Sequence, residues 1–171
     1  MNVFETERLV VRHLRDDDLD DFAALCGDPV AMRYMGDGQP LTREQTARWI
    51  ELSQANYRAR GYGCFAVTLK PEDRLIGFCG LVGPPLQERV ELIYAFAQPF
   101  WGRGLATEVA QAAIAYGFGC HGLERIEATI YPANHASQRV LEKIGMIFQR
   151  RETDEHGVDT DFYAATRPLS P

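Results

Sequence analysis

The chain has 171 residues, 46% hydrophobic and 25% charged, a length and balance that suit one packed domain over residues 1–171 and exclude a disordered or fibrous chain. The formal net charge of −6 leaves no broad basic face for a nucleic-acid backbone. No apolar run approaches the roughly eighteen residues of a membrane span, and the start lacks a basic segment followed by an apolar one. The sequence therefore predicts a cytoplasmic monomer or homodimer with neither nucleic acid nor membrane as partner. Cys26, Cys64, Cys79 and Cys120 are scattered, without C-x-x-C spacing or paired histidines, and read as small core residues rather than metal ligands.

Thr6 to Leu14 reads as a first strand. Asp16 or Asp17 then offers a cap to a helix whose Leu19, Phe22, Ala23 and Cys26 recur at helical spacing until Gly27-Asp28-Pro29. Thr42 and Gln45 form a capping box for a second long helix, ended by Gly61. Three apolar runs follow: Cys64 to Leu69, Leu75 to Val82 and Val90 to Phe96. Pro71-Glu72-Asp73 and Gly83-Pro84-Pro85 supply turn chemistry between them. Connections this short suit antiparallel neighbours, because a parallel crossover needs a dozen or more residues. The period becomes helical from about Leu105 to Cys120, then Arg125 to Ile130 is a strand, Ser137 to Lys143 a short helix, and two closing strands flank Asp154 to Gly157. Alternating strands and helices in this half make the expected sheet mixed, in an α/β chain of about seven strands and four or so helices.

The most informative segment is Pro99-Phe100-Trp101-Gly102-Arg103-Gly104-Leu105-Ala106-Thr107-Glu108, between a strand and a helix. Glycines there let the backbone turn tightly, so that several amide N–H groups converge on an anion at the positive end of the helix. A tight strand-to-helix turn alone would use the same glycines. A Walker loop is excluded, because no Lys follows Gly104. A dinucleotide fingerprint would want Gly or Ala at Thr107 inside a parallel strand-helix-strand unit, whereas the preceding strands form a meander.

This loop, Glu91-Leu92-Ile93-Tyr94 before it, and Arg125-Ile126-Glu127-Ala128 with Asn134-His135-Ala136-Ser137-Gln138-Arg139-Val140-Leu141 after it resemble the GNAT acetyltransferases. Within them the chain is most similar to the Rim-type ribosomal-protein N-terminal acetyltransferases, a branch that the opening Thr6-Glu7-Arg8-Leu9 and Asp18 also resemble. The resemblance implies a mixed sheet with splayed central strands and acetyl-CoA as cosubstrate in the cleft. Amides of Gly102, Gly104, Leu105 and Ala106, with Arg103 and Thr107 in the same loop, would hold the pyrophosphate. Backbone groups of Tyr94, Ala95 and Phe96 would hold the pantetheine, as would Asn134, and Arg139 would meet a CoA phosphate. The chain departs from the superfamily at Pro99, where Arg or Gln is frequent, at Ile93, where Gly is frequent, and at Leu141, where many members carry a tyrosine acid.

Acetyl transfer to an amine needs a neutral amine, a stabilised oxyanion and a route for sulfur to leave. A thiol ionises at about 8.5, so a hydroxyl donor suffices for the leaving group. By the same resemblance Ser137, at the Asn-x-x-Ser position that in Rim-type relatives lies by the CoA sulfur, is the candidate acid, with a helix-terminal hydroxyl bonded to backbone amides as its structural alternative. Carboxylates at the position of Glu91 serve in relatives as general base, directly or through water, so the resemblance makes Glu91 the candidate base, the alternative being a strand-end ion pair with Arg89 or Arg125. Tyr34, Met35, Trp49 and Tyr57 are candidates for the acceptor pocket, although aromatics at helical spacing also build cores. The expected activity is direct N-acetyl transfer from acetyl-CoA to a primary amine, either a protein N-terminus or a small molecule, without a metal. A noncatalytic acyl-CoA-binding domain of the same fold is the alternative.

Overall fold

The computed structural model describes residues 1–83 and 89–168. Pro84-Pro85, part of an expected turn, lies outside the described residues. The first two strands, β1 (Asn2–Glu5) and β2 (Leu9–His13), form a hairpin. The single strand expected from Thr6 to Leu14 is therefore corrected: Thr6 donates its amide to the Leu9 carbonyl at 2.9 Å and accepts the Leu9 amide on its hydroxyl at 3.0 Å. That turn raises the strand number from about seven to eight.

Helix α1 (Leu19–Cys26) follows a 3-10 turn at Asp16–Asp18. Neither Asp16 nor Asp17 caps it; the carboxylate nearest its start, Asp18, turns inward to Arg12 and to the Arg15 amide. Helix α2 (Arg43–Arg60) has both bonds of the capping box, Gln45 N–H to Thr42 Oγ1 and Thr42 N–H to Gln45 Oε1. It ends at Gly61, whose φ of 82° is the left-handed conformation that favours glycine. Strands β3 (Cys64–Leu69), β4 (Leu75–Val82) and β5 (Glu91–Phe96) pair antiparallel as a meander. Helix α3 (Leu105–His121), strand β6 (Arg125–Ile130), helix α4 (His135–Lys143) and strands β7 (Ile147–Thr153) and β8 (Asp159–Thr166) complete the chain.

All eight strands form one mixed sheet in the order β1-β2-β3-β4-β5-β6-β8-β7. Both faces of its centre are covered, which explains why β3 and β4 read as continuous apolar runs. Cys64, Ala66 and Phe78 face a core with Phe22 and Ile50 of α1 and α2; Phe65, Val67 and Cys79 face one with Val109 and Ala113 of α3 and Leu141 of α4. Cys120 departs from the cysteine expectation, being exposed near the end of α3, while the other three are buried. Arg12 is only 1% exposed and joins three elements: its guanidinium meets Asp18 through two bonds of 2.8 Å and Asp73, between β3 and β4, at 2.6 Å.

The feature that makes a site is the junction of β5 and β6. These strands run parallel and pair only at Glu91 opposite Glu127, where Glu127 N–H donates to the Val90 carbonyl at 2.8 Å. Beyond that pair they diverge, as the resemblance implied.

Candidate active site

After β5 the chain makes a 3-10 turn at Gln98–Phe100 with Pro99 in its first turn, where a missing N–H costs nothing. The Trp101 indole N–H donates to the Phe96 carbonyl at 2.6 Å, fixing the loop to the end of the strand. Gly102 and Gly104 then take φ values of 71° and 75°. Gly104 is the N-cap of α3, and no side chain caps that end, so the first amides of the helix are free to meet an anion. A Cβ on Gly102 would meet nothing within 4 Å, and one on Gly104 only Arg8 Nη2 at 3.6 Å. The glycines are thus required by backbone conformation and leave the loop open to a ligand.

The divergence of β5 from β6 opens a cleft in two connected compartments. The larger, about 530 Å³, runs along Tyr94, Ala95 and Phe96 to the loop from Gly102 to Thr107. The smaller, about 320 Å³, contains Glu91, Thr129, Tyr131, Leu141 and Thr160. Tyr34, Met35, Tyr94, Asn134 and Ser137 border both. At that junction the Tyr94 and Ser137 hydroxyls are 2.6 Å apart. Burial pushes the Tyr94 phenol up to about 12, against the lowering effect of its bond to Ser137. Asn134 caps α4 by accepting the Ser137 amide at 3.2 Å. The cap therefore engages Ser137 through its backbone, and its hydroxyl faces Tyr94 instead of a helix amide.

Glu91 lines the smaller compartment and also accepts from Arg89 at 2.5 Å. Glu91 thus borders the cleft and has an ion-pair partner, which of the two expected arginines is Arg89. Arg125 pairs with Glu127 at 3.2 Å.

Two expected pocket residues stand elsewhere. Trp49 packs on Phe22 and Phe78, with ring centroids 5.2 and 5.0 Å away. Tyr57 stacks on His13 at 4.0 Å, and its hydroxyl donates to the Cys64 carbonyl. Both lie where α2 packs on the sheet, away from the splay, so their helical spacing marks the packed side of α2. Arg103 lines the larger compartment, with its guanidinium 5.7 Å from the Phe100 ring centroid. Arg139 is exposed on α4 and borders neither compartment.

Sequence reasoning missed Tyr131, whose hydroxyl donates to the Gly36 carbonyl at 2.5 Å and fastens the segment bearing Tyr34 and Met35 across the cleft. Its position immediately after β6, at the carboxyl end of a parallel strand, was the available signal. Also missed was Glu108, which accepts from Thr6 and Arg8 beside the glycine loop. Burial would raise the Glu108 carboxyl, but the bonds from Thr6 and Arg8 outweigh it and hold the group below its ordinary value. Among the described residues no group of His, Cys, Asp or Glu is arranged to hold a metal ion, and no helix is long and apolar enough to cross a membrane.

Over residues 8–147 the chain matches the Acetyltransferase (GNAT) domain family. It is 28% identical over 172 residues to the uncharacterized N-acetyltransferase YoaA of Bacillus subtilis, covering 97% of each chain. A GNAT-family acetyltransferase structure from Bacillus anthracis superposes with a TM-score of 0.81 at 30% identity, over 95% of this chain and 96% of that one. The RimL ribosomal L7/L12 α-N-protein acetyltransferase, solved with coenzyme A, shares the fold with a TM-score of 0.83 at 14% identity, over 97% and 98% of the two chains. The chain belongs to the GNAT acetyltransferase family.

Proposed function

We propose that this acetyltransferase moves the acetyl group of acetyl-CoA directly to a primary amine, both substrates being bound together. The observation that carries the reading is the meeting of two compartments at the Tyr94–Ser137 pair, one ending at a glycine loop and the other at a carboxylate. The open faces of Gly102 and Gly104 fit a pyrophosphate, and the RimL structure holds coenzyme A in the same fold. Bound acetyl-CoA supplies the activated acyl group and a sulfur leaving group.

The chain's own groups divide the remaining work. Amides of Gly102, Gly104, Leu105 and Ala106 bind the pyrophosphate, with Arg103 and Thr107 alongside. The free edge of β5 from Tyr94 to Phe96 and Asn134 orient the pantetheine. Ser137 donates its hydroxyl proton toward the departing sulfur, and the Tyr94 hydroxyl supports it. Glu91 takes the proton of the incoming amine, while Tyr34 and Met35 form the wall between donor and acceptor.

A covalent acyl-enzyme finds little support. Cys26 and Cys79 are buried with thiols pushed up to about 12, burial raises the Cys64 thiol well above its ordinary value, and none lines the cleft. The acceptor is a protein N-terminal α-amine or a small-molecule amine. Incubation with acetyl-CoA and a panel of peptides and amines, following free thiol, tests the reading: amine-dependent thiol release supports it. CoA binding without release on any amine points to a noncatalytic acyl-CoA-binding domain.

A further inference from the structure

The Thr6-Glu7-Arg8-Leu9 segment acquires a role from its contacts. It forms the turn of the first hairpin, yet its side chains reach α3 and the glycine loop about 100 residues later. Glu108 Oε1 accepts from Thr6 Oγ1 at 2.6 Å and from the Arg8 amide at 2.9 Å. Its Oε2 accepts from Arg8 Nε at 2.7 Å and lies 2.6 Å from Nη2. Arg8 Nη1 donates to the carbonyl of Arg103, the residue between the two left-handed glycines, at 2.9 Å.

Resting on the reading that this loop takes the CoA pyrophosphate, we infer that Arg8 is a positioning residue for that site, fixing the Arg103–Gly104 peptide so that its N–H faces the ligand. The argument is geometric. A trans peptide is planar, with C=O and N–H on opposite sides. Arg8 anchors the Arg103 carbonyl and is not among the residues lining the cleft, so the Gly104 N–H is turned away from Arg8. Gly104, with no Cβ, places little steric restraint on φ at one end of this peptide, so the bond from Arg8 supplies the orientation that a side chain would otherwise help to fix.

A second consequence concerns charge. Glu108 lies in the first turn of α3, beside the place proposed for a pyrophosphate, where a bare carboxylate would repel the ligand. Arg8 and Thr6 occupy both of its oxygens. The bidentate fork suits guanidinium and not ammonium: a lysine cannot hold Glu108 and the Arg103 carbonyl in the same geometry.

Calorimetry with CoA and with pantetheine, which lacks the phosphates, tests the assignment. Arg8→Met is expected to weaken CoA at least about tenfold, the effect of losing charge-assisted bonds, and to leave pantetheine binding unchanged. Arg8→Lys should recover only part of the CoA affinity. Glu108→Gln, which keeps the shape of the side chain but loosens the Arg8 fork, should also weaken CoA, though less than Arg8→Met because it removes a negative charge beside the phosphates, and guards against a misfolded Arg8 variant. Wild-type CoA affinity in Arg8→Met with only a lower melting temperature would overturn the inference and leave the loop reading intact. So would complete rescue by lysine, which would reduce the role to charge. Wild-type protein that fails to bind CoA would overturn the loop reading itself.

Discussion

The Tyr94 and Ser137 hydroxyls lie 2.6 Å apart, although 43 residues separate them in the chain. Because Asn134 takes the Ser137 amide, the serine hydroxyl is left to accept a hydrogen bond from the phenol while donating one toward the departing sulfur, which leaves as a thiolate. Ser137→Ala is expected to lower kcat roughly ten- to a hundredfold, the equivalent of ~1.5–3 kcal/mol for a hydrogen bond to a charged group. Affinity for acetyl-CoA should stay within a few-fold. Tyr94→Phe should cost less, and the double variant should be no slower than Ser137→Ala, since both act through one proton. Steady-state kinetics with calorimetry make the check; unchanged turnover with a lowered melting temperature would retire Ser137 as the acid.

Glu91 combines cleft exposure with an Arg89 partner at 2.5 Å. Making a lysine-type amine neutral at pH 7 costs roughly 4–5 kcal/mol, against about 1 for an α-amine. Glu91→Gln should therefore lower turnover at least about tenfold, and most on lysine-type acceptors. Rates from pH 6 to 9 with a parallel melting curve decide it. Wild-type rates throughout would reduce Glu91 to an ion-pair partner.

The Arg12–Asp18 pair yields a prediction about stability alone. Arg12→Met would strand a buried carboxylate, at a cost of about 3–5 kcal/mol. Replacing both partners, Arg12→Met with Asp18→Leu, should recover much of that. Urea denaturation of the two variants tests the point, and equal losses would contradict it.

Acid should also destabilise the protein through His13. Burial, and then the positive chain terminus, hold its pKa below the ordinary value, and its ring stacks on Tyr57. The sign follows: the stabilisation is complete above the unfolded pKa of about 6.5 and is lost as pH falls from there through the folded pKa. Burial depresses His121 in the same direction, so one substitution removes part of the effect. His13→Phe, which keeps a flat ring, should show a shallower fall in melting temperature between pH 7 and 5. A slope identical to wild type would refute this.

Features set by neighbouring residues were legible in the sequence. The Thr42–Gln45 box and the Gly61 stop mark α2 because each acts within one helical turn, and Arg125 to Ile130 coincides with β6. The first hairpin was not, because its turn contains no Gly, Pro or Asn and is closed by a threonine hydroxyl. The glycine loop was readable from backbone chemistry, yet Trp49 and Tyr57 show why helical spacing cannot tell a pocket from a core: both are apolar surfaces facing inward. Ser137 was named from a resemblance, whereas its bond to Tyr94 depends on how α4 docks across the splay, a relation no local pattern encodes.

The parting of β5 from β6 also gives the molecule an unusual exchange map. Past Glu91, β5 pairs with β4 on one side only, so every second amide of a central strand points into the cleft. In deuterated solvent those amides should exchange far faster than their β4-facing neighbours one residue away, as though an outer edge had been moved to the middle of the sheet. Pantetheine lying along that edge would act as a missing strand, and slowing of the cleft-facing amides would report occupancy without any chemistry taking place.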